Sequence, residues 1–177
     1  MKKIVQTRFG NYGCAVILLL LLVTQFLPFW NCTDCKDHED VDKMVSIAEY
    51  VWFPDHHKPI TKGMTDVYLD AYGEDYTDSD GKKFKFELND IVLPLAVMFV
   101  GSIVGAVLCV MFSERMMPAF ISAAVGGTGV FWYLTNPAMQ IGQNWVLHLI
   151  LAVLTLVAAL MTIIIRIRAK ALDRKQS

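Results

Sequence analysis

Four stretches of this 177-residue chain contain no aspartate, glutamate, lysine or arginine at all: residues 14–30, 91–112, 117–134 and 145–165. An uncharged run approaching 20 residues is the length that crosses about 30 Å of hydrocarbon as a helix. The runs also lack the polar/apolar alternation of a barrel wall, and lipid leaves only helices and closed barrels able to satisfy every backbone amide. The lack of carboxylate, lysine and arginine inside the runs argues against an ion-coupled pump or secondary transporter. Nor is there a phosphate loop, a nucleophile elbow or a pair of catalytic carboxylates at recognisable spacing. Without such a set the expectation is a non-enzymatic chain with no cofactor.

What the chain does have is a charge split. Residues 31–90 carry 15 Asp/Glu against 7 Lys, a balance of −8, while the rest carries 9 Lys/Arg against 2 acids, a balance of +7. Lys and Arg beside spanning helices stay on the cytoplasmic side, so this pattern predicts both termini inside and the acidic block outside. The tail cluster Arg166, Arg168, Lys170, Arg174 and Lys175 agrees with the amino-terminal Lys2, Lys3 and Arg8, as an even number of crossings requires. The first run could also be a cleaved secretory signal, but Gln25, Phe26, Leu27, Pro28, Phe29 and Trp30 lack the small residues of a peptidase site, so a retained anchor is expected. Pro28 should finish that helix.

The expected fold class is an all-α membrane protein: a four-helix transmembrane bundle, N-in and C-in, with a small α+β extracytoplasmic domain inserted between helices one and two. In segments this gives 1–30 for the cytoplasmic amino terminus and first helix, 31–90 for the acidic domain, 91–165 for the remaining helices and 166–177 for the basic tail. Phe29, Trp30, Phe131, Trp132, Tyr133 and Trp145 fall where helices reach the outer headgroups and read as an aromatic belt. His148 is expected to be a partly wet interfacial residue.

Helices two and three are joined by Ser113, Glu114, Arg115 and Met116, which forces an antiparallel hairpin. Gly101 and Gly105 form a GxxxG pair, and Gly126 and Gly127, with Ser122, Ala123 and Gly129, give helix three a small-residue face for close packing. A lipid or quinone slot against these glycines is the functional alternative. Thr24, Gln25, Ser102, Thr128, Thr155 and Thr162 are the polar exceptions, most able to bond their own helix carbonyls.

In the outer block, Val41, Met44, Val45, Ala48, Val51 and Trp52 are spaced by threes and fours, which predicts a helix over 40–53 closed by Pro54. Phe84, Phe86 and Leu88 alternate with charged residues as a half-buried strand does. Residues 64–72 fit a helix through Met64, Val67, Tyr68, Ala71 and Tyr72, and fit a strand through Val67, Leu69 and Ala71. About 60 residues bury too little alone, so this domain should lean on the bundle, with the uncharged loop 135–144 as its neighbour.

Cys32 and Cys35 form a CxxC just outside the first run, and in an oxidising compartment a disulfide between them is the simplest reading. The alternative is a redox pair, with Lys36 and His38 supplying positive charge against Asp34 and Asp37. His38, His56 and His57 add a possible metal set to the two cysteines, although adjacent histidines suit one ion poorly. Asp75, Asp78, Asp80 and Gly81 lack the first ligand and the closing glutamate of a calcium loop. The four-crossing plan with an external CxxC resembles the bacterial membrane enzymes that make disulfides with quinone. That resemblance implies thiol–disulfide exchange at Cys32 and Cys35, yet such a relay uses a second external pair, and Cys14 and Cys109 lie towards the opposite ends of their helices. The plan is also similar to claudin-type tetraspan proteins, with different cysteine spacing.

The leading expectation is an accessory or interaction subunit of a membrane assembly in the bacterial plasma membrane, whose exported acidic domain binds a protein partner or a second copy. Its surroundings are the lipid bilayer, and nucleic acid is not among its partners. The alternatives are a membrane thiol–disulfide oxidoreductase and an extracytoplasmic metal-binding or sensing protein.

Overall fold

The computed structural model describes residues 2–32, 43–53, 58–73, 77, 88–140 and 142–176. Seven helices and one small sheet are found among them: α1 (Lys2–Thr24), β1 (Pro28–Cys32), β2 (Lys43–Ser46), α2 (Ile47–Trp52), α3 (Lys58–Tyr72), α4 (Leu88–Met111), α5 (Met117–Thr135), α6 (Pro137–Gln140) and α7 (Trp145–Gln176). Three helices contain a stretch long and apolar enough to cross a membrane: Ile91–Met111, Met117–Thr135 and Trp145–Leu172. The apolar part of α1, Arg8–Thr24, is shorter. These four helices pack along one another, α5 against α4 and α7, and α1 against the same two.

The close approach of α5 to α7 has a local cause. A Cβ on Gly126 would come within 2.6 Å of the Leu156 amide nitrogen and 2.8 Å of the Ala152 carbonyl oxygen, so the backbones meet where only hydrogen fits. Gly129 sits against Ala152 Cβ at 2.8 Å on the same face. On α4, Gly101 faces Val125 and Gly105 faces Leu18. Gly127 differs from the small-residue face expected of it: one position on from Gly126, it points about 100° away and has nothing within 4 Å. Ser102, Thr155 and Thr162 return their hydroxyls to the carbonyls of Met98, Leu151 and Ala158 one turn back.

At the end where α4 turns into α5, the chain is tied to α1. Asn11 Nδ2 donates to the carbonyl oxygens of Ser113 at 2.7 Å and Arg115 at 3.0 Å, and Arg8 pairs with Glu114. These bonds satisfy carbonyls that the turn leaves without helical partners.

The opposite end departs from the sequence expectations. α1 stops at Thr24, not near Trp30, and closes with a tight turn in which the amides of Gln25, Phe26 and Leu27 donate to the carbonyls of Leu22, Val23 and Thr24. Pro28 then begins a strand. β1 pairs antiparallel with β2, Trp30 opposite Val45 and Cys32 opposite Lys43, with an irregularity at Phe29. The helix expected over 40–53 is therefore strand over Lys43–Ser46 and helix only from Ile47. The spacing of Met44, Val45 and Ala48 is helical, but Ser46 sets the boundary: its side chain accepts from the Glu49 amide at 3.1 Å, the N-cap of an S-x-x-E box. Residues 64–72 are helical within α3. Of the strand expected at 84–88, Leu88 opens α4, while Phe84 and Phe86 lie outside the described residues. α7 runs on beyond Ile165 through the basic tail to Gln176.

One core joins the inserted segment to the bundle at this end. Phe29, Trp30, Val45, Ile47, Tyr50, Ile60 and Met64 from the inserted segment pack in the same cluster as Ile91, Leu95, Met98, Tyr133 and Met139. The loop between α5 and α7 closes over it: α6 contacts α3, and the Gln143 amide donates to the Phe29 carbonyl at 2.6 Å.

Candidate functional site

The centre of that shared core is polar as well as aromatic. Successive strand residues normally face opposite ways, but the irregularity at Phe29 lets both Phe29 and Trp30 turn inward. Phe29 then stacks edge-on against the His148 ring at 5.1 Å and leans on Tyr133 at 6.4 Å, while Trp30 meets Tyr50 at 5.2 Å. Tyr133 and His148 lie 5.9 Å apart, centroid to centroid. Gly142 is needed at the rim, because a side chain there would run into the Phe29 ring.

Expected at the wet headgroup level, His148, Phe29, Trp30 and Tyr133 are instead buried, and His148 is 0% exposed. The cause is tertiary: β1 folds back over the ends of α5 and α7. Several polar side-chain atoms around this core have no protein partner at good hydrogen-bond geometry, although the His148 ring lies close enough to the Thr24 backbone to interact with it. His148 Nδ1 and Nε2, the Tyr133 hydroxyl, the indole nitrogens of Trp30 and Trp132, and both side-chain atoms of Gln25 make no hydrogen bond among the described residues. Each such group costs about 1–3 kcal/mol if left bare in an apolar interior. In the sequence Trp30, Trp132 and Tyr133 read as an aromatic belt, Gln25 as a polar exception and His148 as a wet interfacial residue, and nothing there brings them together as a site. The available signal was the density of Trp, Tyr and His at the ends of three runs.

Cys32 ends β1, two residues beyond Trp30, with its backbone opposite Lys43 in the ladder. Its side chain lies outside the described residues, as do Cys35, His38, His56 and His57, so the expected disulfide, the redox pair and the metal set all fall there. Among the described residues no group of three His, Cys, Asp or Glu could hold a metal.

The other two cysteines meet inside the bundle. Cys14 on α1 and Cys109 on α4 are buried free thiols in one cluster with Ala15 and Ala159. Cys109 Sγ is 3.5 Å from Ser122 Oγ, whose hydroxyl donates to the Pro118 carbonyl at 2.9 Å. Buried away from positive charge, such thiols pack as small apolar groups and react poorly.

Compared with known proteins, the chain matches no family model, no curated protein and no solved structure.

Of the elements of the inserted segment that build the shared core, α3 is the most clearly two-sided. Ile60, Thr61, Met64, Thr65 and Leu69 are buried, while Lys62, Asp66 and Asp70, four residues apart, stand exposed on one stripe. Inside, the Tyr50 hydroxyl and Thr61 Oγ1 share a hydrogen bond of 2.7 Å. Burial raises the Tyr50 pKa above the ordinary tyrosine value, partly offset by that bond.

Proposed function

We propose that the chain is a four-pass protein of a bacterial plasma membrane with both termini cytoplasmic, and that residues 31–90 form an exported domain that binds a protein partner, making the chain an accessory subunit of a membrane assembly. The charge split supports the orientation, and α1, packed lengthwise with α4 and α7, supports the fourth crossing despite its 17 apolar residues. The observation that carries the reading is α3. Its apolar side is locked into a core continuous with the bundle, so its exposed Asp66 and Asp70 are held as a fixed acidic stripe. A partner surface carrying Lys or Arg complements it, supplying specificity and association rate more than raw affinity.

Purification from the native membrane in mild detergent tests this. The reading expects a second protein, or a second copy, to travel with the chain and to be lost with Asp66→Lys and Asp70→Lys together. Recovery of a lone monomer would reject it.

A second reading, a thiol–disulfide oxidoreductase acting through Cys32 and Cys35, draws support from β1, which carries Cys32 two residues beyond the buried Trp30. In it a Cys32–Cys35 disulfide accepts two electrons from a substrate dithiol, leaving two thiols here and a disulfide in the substrate. Changing both cysteines to serine and following disulfide formation in exported proteins separates the readings: unchanged oxidation at normal abundance eliminates the enzyme.

A further inference from the structure

The inserted segment carries an exposed apolar patch at an unexpected height. α2 is buried through Ile47, Ala48 and Tyr50, yet its end bears Trp52 at 66% and Phe53 at 56% exposure, beside Phe26 at 59% and Leu27 at 39%. Trp52 and Phe26 both meet Phe99 of α4, with ring centroids at 6.4 Å and 5.6 Å.

Phe99 fixes the depth of this patch. Counting from Met111 at ~1.5 Å per residue, Phe99 stands ~18 Å along α4, about 12 Å short of the far side of a ~30 Å hydrocarbon layer. α1 gives the same answer independently. From Asn11, anchored on the Ser113 and Arg115 carbonyls, it climbs ~20 Å before ending at Thr24, leaving about 10 Å of hydrocarbon unspanned. Something other than α1 must fill that layer on this face of the bundle.

We infer that α2 and the turn at residues 25–27 fill it, so that Trp52, Phe53, Phe26 and Leu27 lie in the acyl chains of the outer leaflet as a wedge replacing the missing end of α1. Non-helical backbone survives at membrane depth only when its polar groups are met from within the protein. Four such groups are met here: the three turn amides bond back to α1, and the Gln25 carbonyl accepts from the Ala48 amide at 2.9 Å, stitching α2 to the end of α1. No charged residue occurs from Phe9 to Asn31, the one charge on α2 is the half-buried Glu49, and the patch adjoins the exposed Val23, one turn before Phe26, and Val100, next to Phe99, of the lipid-facing wall. Acyl chains are therefore the occupant, by continuity with that wall.

The inference rests on the reading that α1 and α4 cross the bilayer, and the test separates the two. Full-length chains bearing an environment-sensitive fluorophore on Trp52→Cys, Phe53→Cys, Val100→Cys or Asp70→Cys, with Cys32 and Cys35 changed to serine, are reconstituted in phosphatidylcholine vesicles. Quenching by doxyl-labelled phospholipid is compared with quenching by aqueous iodide. Labels at 52 and 53 should follow the label at 100, quenched by lipid and spared by iodide, with the label at 70 behaving oppositely. Iodide quenching at 52 and 53 alone would overturn the wedge and leave the crossing intact. Protection from both quenchers would overturn it in favour of a protein occupant, and iodide quenching at 100 would remove the crossing itself. Wild-type chain photolabelled by a diazirine phospholipid guards against a substitution that disturbs folding: adducts on the 47–53 peptide support the wedge, and their absence beside labelled α4 rejects it.

Discussion

Gly126 and Gly127 are neighbours in sequence, yet the same substitution should move stability in opposite directions at the two sites. At Gly126 a methyl group would press on the Leu156 nitrogen at 2.6 Å, the Ala152 oxygen at 2.8 Å and the Leu156 Cα at 3.0 Å, all of them backbone. Backbone cannot rotate aside as a side chain does, so α5 and α7 must separate along their contact. Overpacking of this kind costs about 1–3 kcal/mol, offset by up to ~1 kcal/mol from the better helix propensity of alanine. With the full offset the net loss reaches about 2 kcal/mol, a drop in Tm of up to about 4–8 °C for a chain of this size. Gly127→Ala meets nothing within 4 Å and keeps only the propensity gain, a rise of about 1–4 °C. Circular dichroism melts of both variants in one detergent supply the comparison. Truncating Leu156 should not relieve Gly126→Ala, because the obstruction is main chain. At Gly101 the obstruction is Val125 Cγ2 at 2.5 Å, so Val125→Ala should rescue Gly101→Ala. If Gly126→Ala melts with wild type while Gly127→Ala melts below it, the helix facing described above is wrong.

Asn11→Leu should lower stability by about 1–3 kcal/mol, because it strips the Ser113 and Arg115 carbonyls of their buried donor, and thermal melts read the loss. Ser46→Ala removes the cap of α2 and should cost about 1 kcal/mol, seen as faster hydrogen exchange at the Glu49 amide. The raised Tyr50 pKa means the folded state holds this proton more tightly than the unfolded chain: its contribution is complete below the unfolded value of about 10 and declines as pH climbs past it. Tyr50→Phe should flatten that alkaline decline in a melt series, and an unchanged slope would count against the burial argument. Cys14 and Cys109 should resist a water-soluble maleimide until the chain is denatured, as mass spectrometry of native and unfolded samples would show.

The three long apolar helices are legible because an uncharged run of that length has one stable conformation in lipid. The end of α1 is not, since Gln25 to Trp30 are apolar enough to continue a helix and only their pairing with a strand at 43–46 overrides it. That partner is non-local and leaves no mark in the run itself. β2 and α2 read as one helix because Val41, Met44, Val45 and Ala48 keep helical spacing across the boundary, although Ser46 and Glu49 hold the cap signal. The position of His148 near the end of a run suggests a wet interface, and it is buried because β1 covers it. Gly126 and Gly127 are indistinguishable by composition, and only the azimuth of α7 separates them.

The main-chain tie between Gln143 and Phe29, with the contact from the Asn144 amide group to the Pro28 carbonyl 116 residues back, dictates an order of assembly. At ~5–20 residues per second a ribosome needs roughly 6–23 s to deliver the second half of that clasp after the first has emerged. Through that interval Phe29 and Trp30 are without their cover, so the nascent chain depends on a holding factor or on lipid to keep them from mispairing. Mutations that slow synthesis between these points should therefore lower yield without altering the finished protein.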